Sequence, residues 1–279
     1  FKINTLKNGC NDYQKPANLY VLGNKEKKLP FKVLNGHIGY INVLDALNAY
    51  RLANEINTIF DKPAATSFKH TSPAGVAYAD TIEKAYKNAR GCDPKSSFGD
   101  FIGISDKVDF KLANYLKSQV SDGIIASSYD KKALEILKKK KGGKYLILEG
   151  NKKWFRENRE EFREINGVVI SQKSNNTIIS PNQIIDGVLT EMKEHVYSCY
   201  DDLLLANQTL KYTQSNSVVI ASDGIACGIG AGQQNRVACI HLAGDKCNTW
   251  NIKQKQTNKD FDPLYTMCSD GFLPFRDNI

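Results

Sequence analysis

The chain has 279 residues, 41% hydrophobic and 24% charged, with a formal net charge of +8 and seven cysteines. This length and balance support one large core or two smaller ones and exclude a disordered or fibrous class. No apolar run nears the roughly 20 residues of a membrane span, no secretory leader opens the chain, and odd, scattered cysteines without a C-x-x-C pair fit reduced thiols in a cytoplasmic protein.

Leu6 to Leu22 reads as extended chain with turns, and Phe31 to Gly36 as a strand running into a turn. Asn42 to Phe60 places Val43, Leu47, Tyr50, Leu52, Ile56 and Ile59 at helical spacing. A strand over Ala64–Phe68, a helix over Asp80–Arg90 and a strand over Phe101–Ser105 follow. Next come a helix over Asp109–Gln119, a strand over Gly123–Ala126, a helix over Lys131–Lys140 and a strand over Tyr145–Leu148. This alternation predicts α/β layering on a parallel or mixed sheet. The Lys138–Lys141 run before Gly142-Gly143 is expected to be a solvated helix end favoured by the helix dipole.

The charged stretch Asn151–Glu164 is the best internal boundary, dividing the chain into 1–155 and 156–279. Beyond it, Val168–Ser171 reads as a strand, Pro181-Asn182 as a turn and Asp186–Leu210 as one long helix. Val218–Ala221 and Ile225–Gly230 flank the turn Ser222-Asp223-Gly224, a hairpin signal. Gln233–Leu242 is the last expected helix.

Chemistry concentrates at Lys69-His70, where a strand meets Pro73 and Gly75, expected to break regular structure. A cation and a group that titrates near neutrality stand together at a strand end, where α/β proteins collect ligands. A plain polar surface loop is the competing reading. Gly228-x-Gly230-x-Gly232 ends a strand and enters a helix, without the dinucleotide G-x-G-x-x-G spacing. Free amides and the helix dipole there suit an anion, and Arg236 in the first turn can add a forked contact. The charge of +8 fits a lysine-rich surface or an anionic small molecule; no aromatic-basic interleaving marks a nucleic-acid binder. His37, His195 and His241 lack zinc-site spacing with cysteines, and the zinc deaminase signature is missing, so no metal is expected.

The stretch Phe68-Lys69-His70-Thr71-Ser72-Pro73-Ala74-Gly75 resembles the K-H-[TV]-S-P-A-G signature of AICAR transformylase, the formyl-transfer half of a bifunctional purine-synthesis family. Ser96-Ser97-Phe98-Gly99-Asp100-Phe101, Val120 to Ala126 and Lys211 to Val218 resemble further blocks of that family in the same order. Gly228 to Arg236, Leu242 to Lys246 and Phe272 to Asn278 continue the series. Lys7 to Ala17 is closest to the K-Y-G-C-N-P-N-Q-K-P-A of stand-alone bacterial relatives, with Asn8 in place of Tyr. The stretches 75–89 and 250–272 are shorter than the family's, and no cyclohydrolase block accompanies them.

The resemblance implies two cytidine-deaminase-like α/β subdomains with mixed sheets. It implies formyl transfer from 10-formyltetrahydrofolate to the 5-amino group of AICAR. Lys69, His70 and Asn216 would be catalytic; Lys7, Asn8, Phe98, Gly99, Asp122 and Arg236 would bind the nucleotide. Val237, Phe272, Phe275 and Asp277 would make the folate side. It also implies a homodimer in which Arg236 reaches the neighbouring subunit's site. A nucleotide-binding paralogue without catalysis is the alternative.

Overall fold

Nine short runs rich in small and β-branched residues pair into one mixed sheet. The computed structural model describes residues 2–22, 28–156, 160–189 and 193–273. Its strands are β1 (Phe31–Asn35), β2 (Ala64–Lys69), β3 (Ser72–Tyr78), β4 (Asp100–Ile104), β5 (Ser121–Ala126), β6 (Leu146–Gly150), β7 (Val218–Ser222), β8 (Ile225–Gly230) and β9 (Thr266–Ser269). They lie in the order β9-β7-β8-β3-β2-β4-β5-β6-β1. β4, β5 and β6 run parallel to one another, and every other neighbouring pair is antiparallel. Strands on both sides of residue 155 therefore share one sheet. They join where Ala77 and Val76 of β3 pair with Ile225 and Ala226 of β8. The α/β class read from the sequence is the one observed.

Helices cover both faces. α1 (Tyr40–Phe60) and α5 (Tyr200–Leu210) bury Leu52, Ile56, Leu205 and Ala206 against Phe68, Val76, Val219 and Ile229. α2 (Ile82–Cys92), α3 (Phe110–Leu116), α4 (Lys131–Lys138) and α6 (Arg236–Thr257) cover the other face. There Tyr86, Leu112, Leu116, Leu137 and Trp250 pack on Ile102, Ile104, Ile124 and Ile147. Fully burying a side chain of this size gains roughly 1.5–3 kcal/mol, so the two layers fix the sheet firmly. None of the described helices is long and apolar enough to cross a membrane.

Several sequence expectations are corrected. Pro73 and Gly75 lie inside β3. Pro73 stands opposite Phe68 beside a register shift, where a missing N–H is tolerated. A Cβ on Gly75 would sit 1.9 Å from the Ala89 carbonyl oxygen of α2, so this glycine serves a close helix–strand approach. The stretch expected as one long helix over Asp186–Leu210 is broken into Lys193–Ser198 and α5, and the turn expected at Pro181-Asn182 is a short helix, Pro181–Asp186. Pro181 opens that short helix at its N-terminal turn. The last helix begins at Arg236, capped by the Asn235 side chain accepting from the Ala238 amide, and runs on to Thr257. The charged boundary carries a hairpin, Glu160–Ile165 with Val168–Lys173, whose residues are all exposed.

Candidate active site at one edge of the sheet

The strand directions bring the predicted residues to a single edge. β2, β1, β8 and β9 end there, while β3, β4, β5, β6 and β7 begin there. The edge therefore carries His70 beyond β2, Phe98 and Gly99 before β4, Asp122 at the start of β5 and Asn216 before β7. Arg236 and Phe272 follow β8 and β9 at the same edge. Lys7 is attached at the β1 flank, its amide donating to the Ile38 carbonyl oxygen at 2.8 Å.

The centre is the β2–β3 hairpin. Lys69 pairs with Ser72, which leaves His70-Thr71 as a two-residue loop. Both loop residues have positive φ, 52° and 65°, the type I′ pattern usually filled by Asn and Gly. A non-glycine residue in that region costs on the order of 1–3 kcal/mol. Asp45 of α1 offsets the cost: its carboxylate accepts from the Thr71 amide at 2.6 Å and also bonds the His70 amide. Burial raises the Asp45 carboxyl to about 6 against these amide bonds and the neighbouring His70, with Asp122 raising it further. His70 is exposed.

Beside the hairpin, the Lys69 ammonium donates to the Phe98 carbonyl oxygen at 2.7 Å. Gly99 has φ 79° and open space where a Cβ would stand, and the Phe98 ring is 59% exposed. A buried network underlies this loop. Asp100 accepts from the Ser67 hydroxyl at 2.7 Å, from Tyr86 at 3.0 Å and from Arg90 at 3.0 Å. Arg90 also donates to the Ser97 and Val120 carbonyls at 2.8 and 3.2 Å. The loop bearing Phe98 is thus pinned from beneath.

The lysine run has more specific work than solvation. Lys141 bonds the Asp122 carboxylate at 2.6 Å. Lys140 donates to the Leu116 and Gln119 carbonyls at 2.6 and 2.7 Å, and burial lowers its pKa.

On the other flank, Asn216 is half-buried, and its Nδ2 donates to the Gln233 carbonyl at 2.9 Å. Arg236 binds the Asp270 carboxylate and donates to the Ser217 carbonyl at 3.3 Å. Burial would raise the Asp270 carboxyl, but Ser215, the Ser217 amide and Arg236 hold it below the usual carboxylate range. The glycine series divides in two. A Cβ on Gly228 or Gly230 would meet the α6 carbonyls of Ala243 and Cys239 at 2.4 and 2.3 Å, so both let α6 lie close on β8. Only Gly232, with φ 67°, belongs to the turn. Val237 is half-buried in α6 and Phe272 is 81% exposed, whereas Phe275 and Asp277 lie outside the described residues.

The Asn8 backbone carbonyl accepts from the Tyr40 amide at the start of α1 at 3.1 Å, and its side chain donates to Asp12 at 3.0 Å. Among the described residues no group of three or more His, Cys, Asp or Glu is arranged to hold a metal ion. A cavity of about 770 Å³ lined by Leu29, Phe31, Gly150 and Trp154 lies at the opposite edge, away from His70.

Fold and site together define a mixed-sheet α/β protein with a Lys69-His70 hairpin at the sheet edge where the candidate residues gather. The chain belongs to the AICARFT/IMPCHase bienzyme family, whose model matches residues 1–246. It is similar to the bifunctional purine biosynthesis protein PurH of Persephonella marina, at 32% identity over all of this chain and 51% of that protein. The PurH proteins of Elusimicrobium minutum and Clostridium botulinum are 29% and 30% identical, over 100% and 98% of this chain. The chain spans about half the length of these curated relatives.

Proposed function

We propose that the chain transfers a formyl group from 10-formyltetrahydrofolate to the 5-amino group of AICAR, a step in purine biosynthesis. The reading rests on the Lys69-His70 hairpin, with its exposed His70, in a chain of this family. The substrate amine is a weak nucleophile because its lone pair is delocalised into the ring. His70 accepts the amine proton as nitrogen attacks the formyl carbon. Lys69 stabilises the oxyanion that develops on the formyl oxygen, or protonates the folate nitrogen as its bond to carbon breaks. Asn216 orients the amine. Lys7 and Arg236 neutralise the phosphate, Phe98 and Gly99 line the base, and Asp122 contacts the ribose or base. Val237, Phe272, Phe275 and Asp277 form the folate side. In a homodimer, Arg236 serves the neighbouring site. The chemistry is cytoplasmic.

The test is a formyl-transfer assay with purified nucleotide and reduced folate. Turnover that requires both substrates supports the reading. Nucleotide binding without turnover supports the catalytically impaired alternative, which Asn8 favours, since its side chain is engaged with Asp12.

A further inference from the structure

We infer that Asp45 is a positioning residue for the proposed formyl transfer: its buried carboxylate gathers the two amides of the His70-Thr71 turn and so fixes where the imidazole stands. The inference rests on the reading of His70 as the base. Asp45 is 5% exposed and lies on the second turn of α1, a helix held by Leu52 and Ile56 in the core. Its carboxylate accepts from Thr71 at 2.6 Å and from the His70 amide. The charged groups facing it are His70 from the hairpin and Asp122 from β5, the latter paired with Lys141 at 2.6 Å. The anchor belongs to a packed helix and the turn it holds is strained, because neither turn residue is a glycine suited to positive φ.

The same device occurs a second time, which separates its mechanical from its functional use. The β7–β8 turn Asp223-Gly224 also has two positive φ values, 52° and 73°. Its amides donate to Asp202 of α5 at 3.0 and 2.8 Å. That turn lies at the opposite edge of the sheet, contains a glycine and carries no residue assigned to the reaction. A helix carboxylate clamping a type I′ turn is thus part of how this fold closes hairpins. At the sheet edge bearing Lys69 the clamp holds a turn containing an imidazole.

The experiment compares Asp45→Asn, Asp45→Ala and Asp202→Asn in the full chain. Asp45→Ala should lower kcat about 10²-fold, the scale of a 1 Å misplacement, with nucleotide KM within about threefold. Asp45→Asn, which keeps an acceptor, should recover part of the loss. Asp202→Asn should lower Tm and leave kcat unchanged. Independently of activity, the Thr71 amide proton should titrate with a midpoint near 6 in the parent chain. That titration should vanish in Asp45→Asn, with the His70 ring signals displaced. Equal kcat in all three variants, or a Thr71 amide that ignores pH from 4 to 8, overturns the inference. A parent chain without turnover overturns the functional reading instead, and the amide titration still decides whether Asp45 clamps the turn.

Discussion

The Lys69 ammonium donates to the Phe98 carbonyl oxygen at 2.7 Å, so the cation of the hairpin is held by the loop that presents the exposed Phe98 ring. One contact thereby ties the β2–β3 hairpin to the loop that precedes β4. Lys69→Ala should lower kcat roughly 10²–10³-fold, the usual loss of an oxyanion donor. Nucleotide affinity should change far less, because the charge it meets develops in the transition state. Titration calorimetry beside steady-state kinetics checks this; a pure affinity defect would make Lys69 a ground-state binding residue.

His70→Ala should reduce turnover by about 10²–10⁴-fold, the range for losing a general base. The hairpin and the bound nucleotide should persist, since the amides that hold the turn are backbone groups. Near-normal turnover would remove the base assignment.

The Arg90–Asp100 pair makes a prediction about stability. Removing one partner of a buried ion pair typically costs about 3–5 kcal/mol. Arg90→Met should therefore lower the denaturant midpoint at pH 7 sharply, with Asp100 fully buried and without its cation. Burial outweighs the Ser67 hydroxyl, Arg90 and Tyr86 and pushes the Asp100 carboxyl up from 3.8 to about 6. The folded chain then holds more protons than the unfolded one between those values. This group's contribution is present below pH 3.8 and is lost as pH rises through 6. Asp100→Asn should flatten that slope, and an unchanged stability profile from pH 4 to 6 would count against it.

For Arg236, the expected outcome is complementation across a homodimer. His70→Ala and Arg236→Ala, each impaired alone, should regain activity when co-refolded. Random mixing makes about half the dimers mixed, each with one site free of both lesions, so roughly a quarter of all sites recover. Mixed dimers verified by mass but inactive would restrict Arg236 to its own subunit, where it already holds Asp270.

The alternation of elements was legible because the central strands are short apolar runs buried on both faces, between helices that bury one. The end of β2 was legible because Lys69 and His70 close an apolar run, but its hairpin partner β3 was not, since Pro73 and Gly75 read as breakers. What else escaped was non-local. Asp45 sits between Leu44 and Ala46 in a helical pattern, and its partner is a backbone amide 26 residues on. Nothing in local spacing announces such a bond. Gly75, Gly228 and Gly230 read as turn residues, yet each answers to a helix carbonyl brought close by tertiary packing. The Lys140 contacts likewise depend on where α3 ends, which periodicity does not fix.

Helix α1 carries a second carboxylate, Glu55, which accepts from Gln208 at 2.6 Å, Lys211 at 2.7 Å and Tyr212 at 2.7 Å. Tyr212 lies only four residues before Asn216. Asp45 and Glu55 are thus two fasteners on one rod, about 15 Å apart at 1.5 Å per residue. One grips the turn that bears His70, the other the approach to Asn216. The gauge of the site is set by a helix whose length cannot stretch, so a one-residue insertion between positions 45 and 55 would rotate one fastener about 100° from the other. Such an insertion would uncouple the two flanks while altering neither of them.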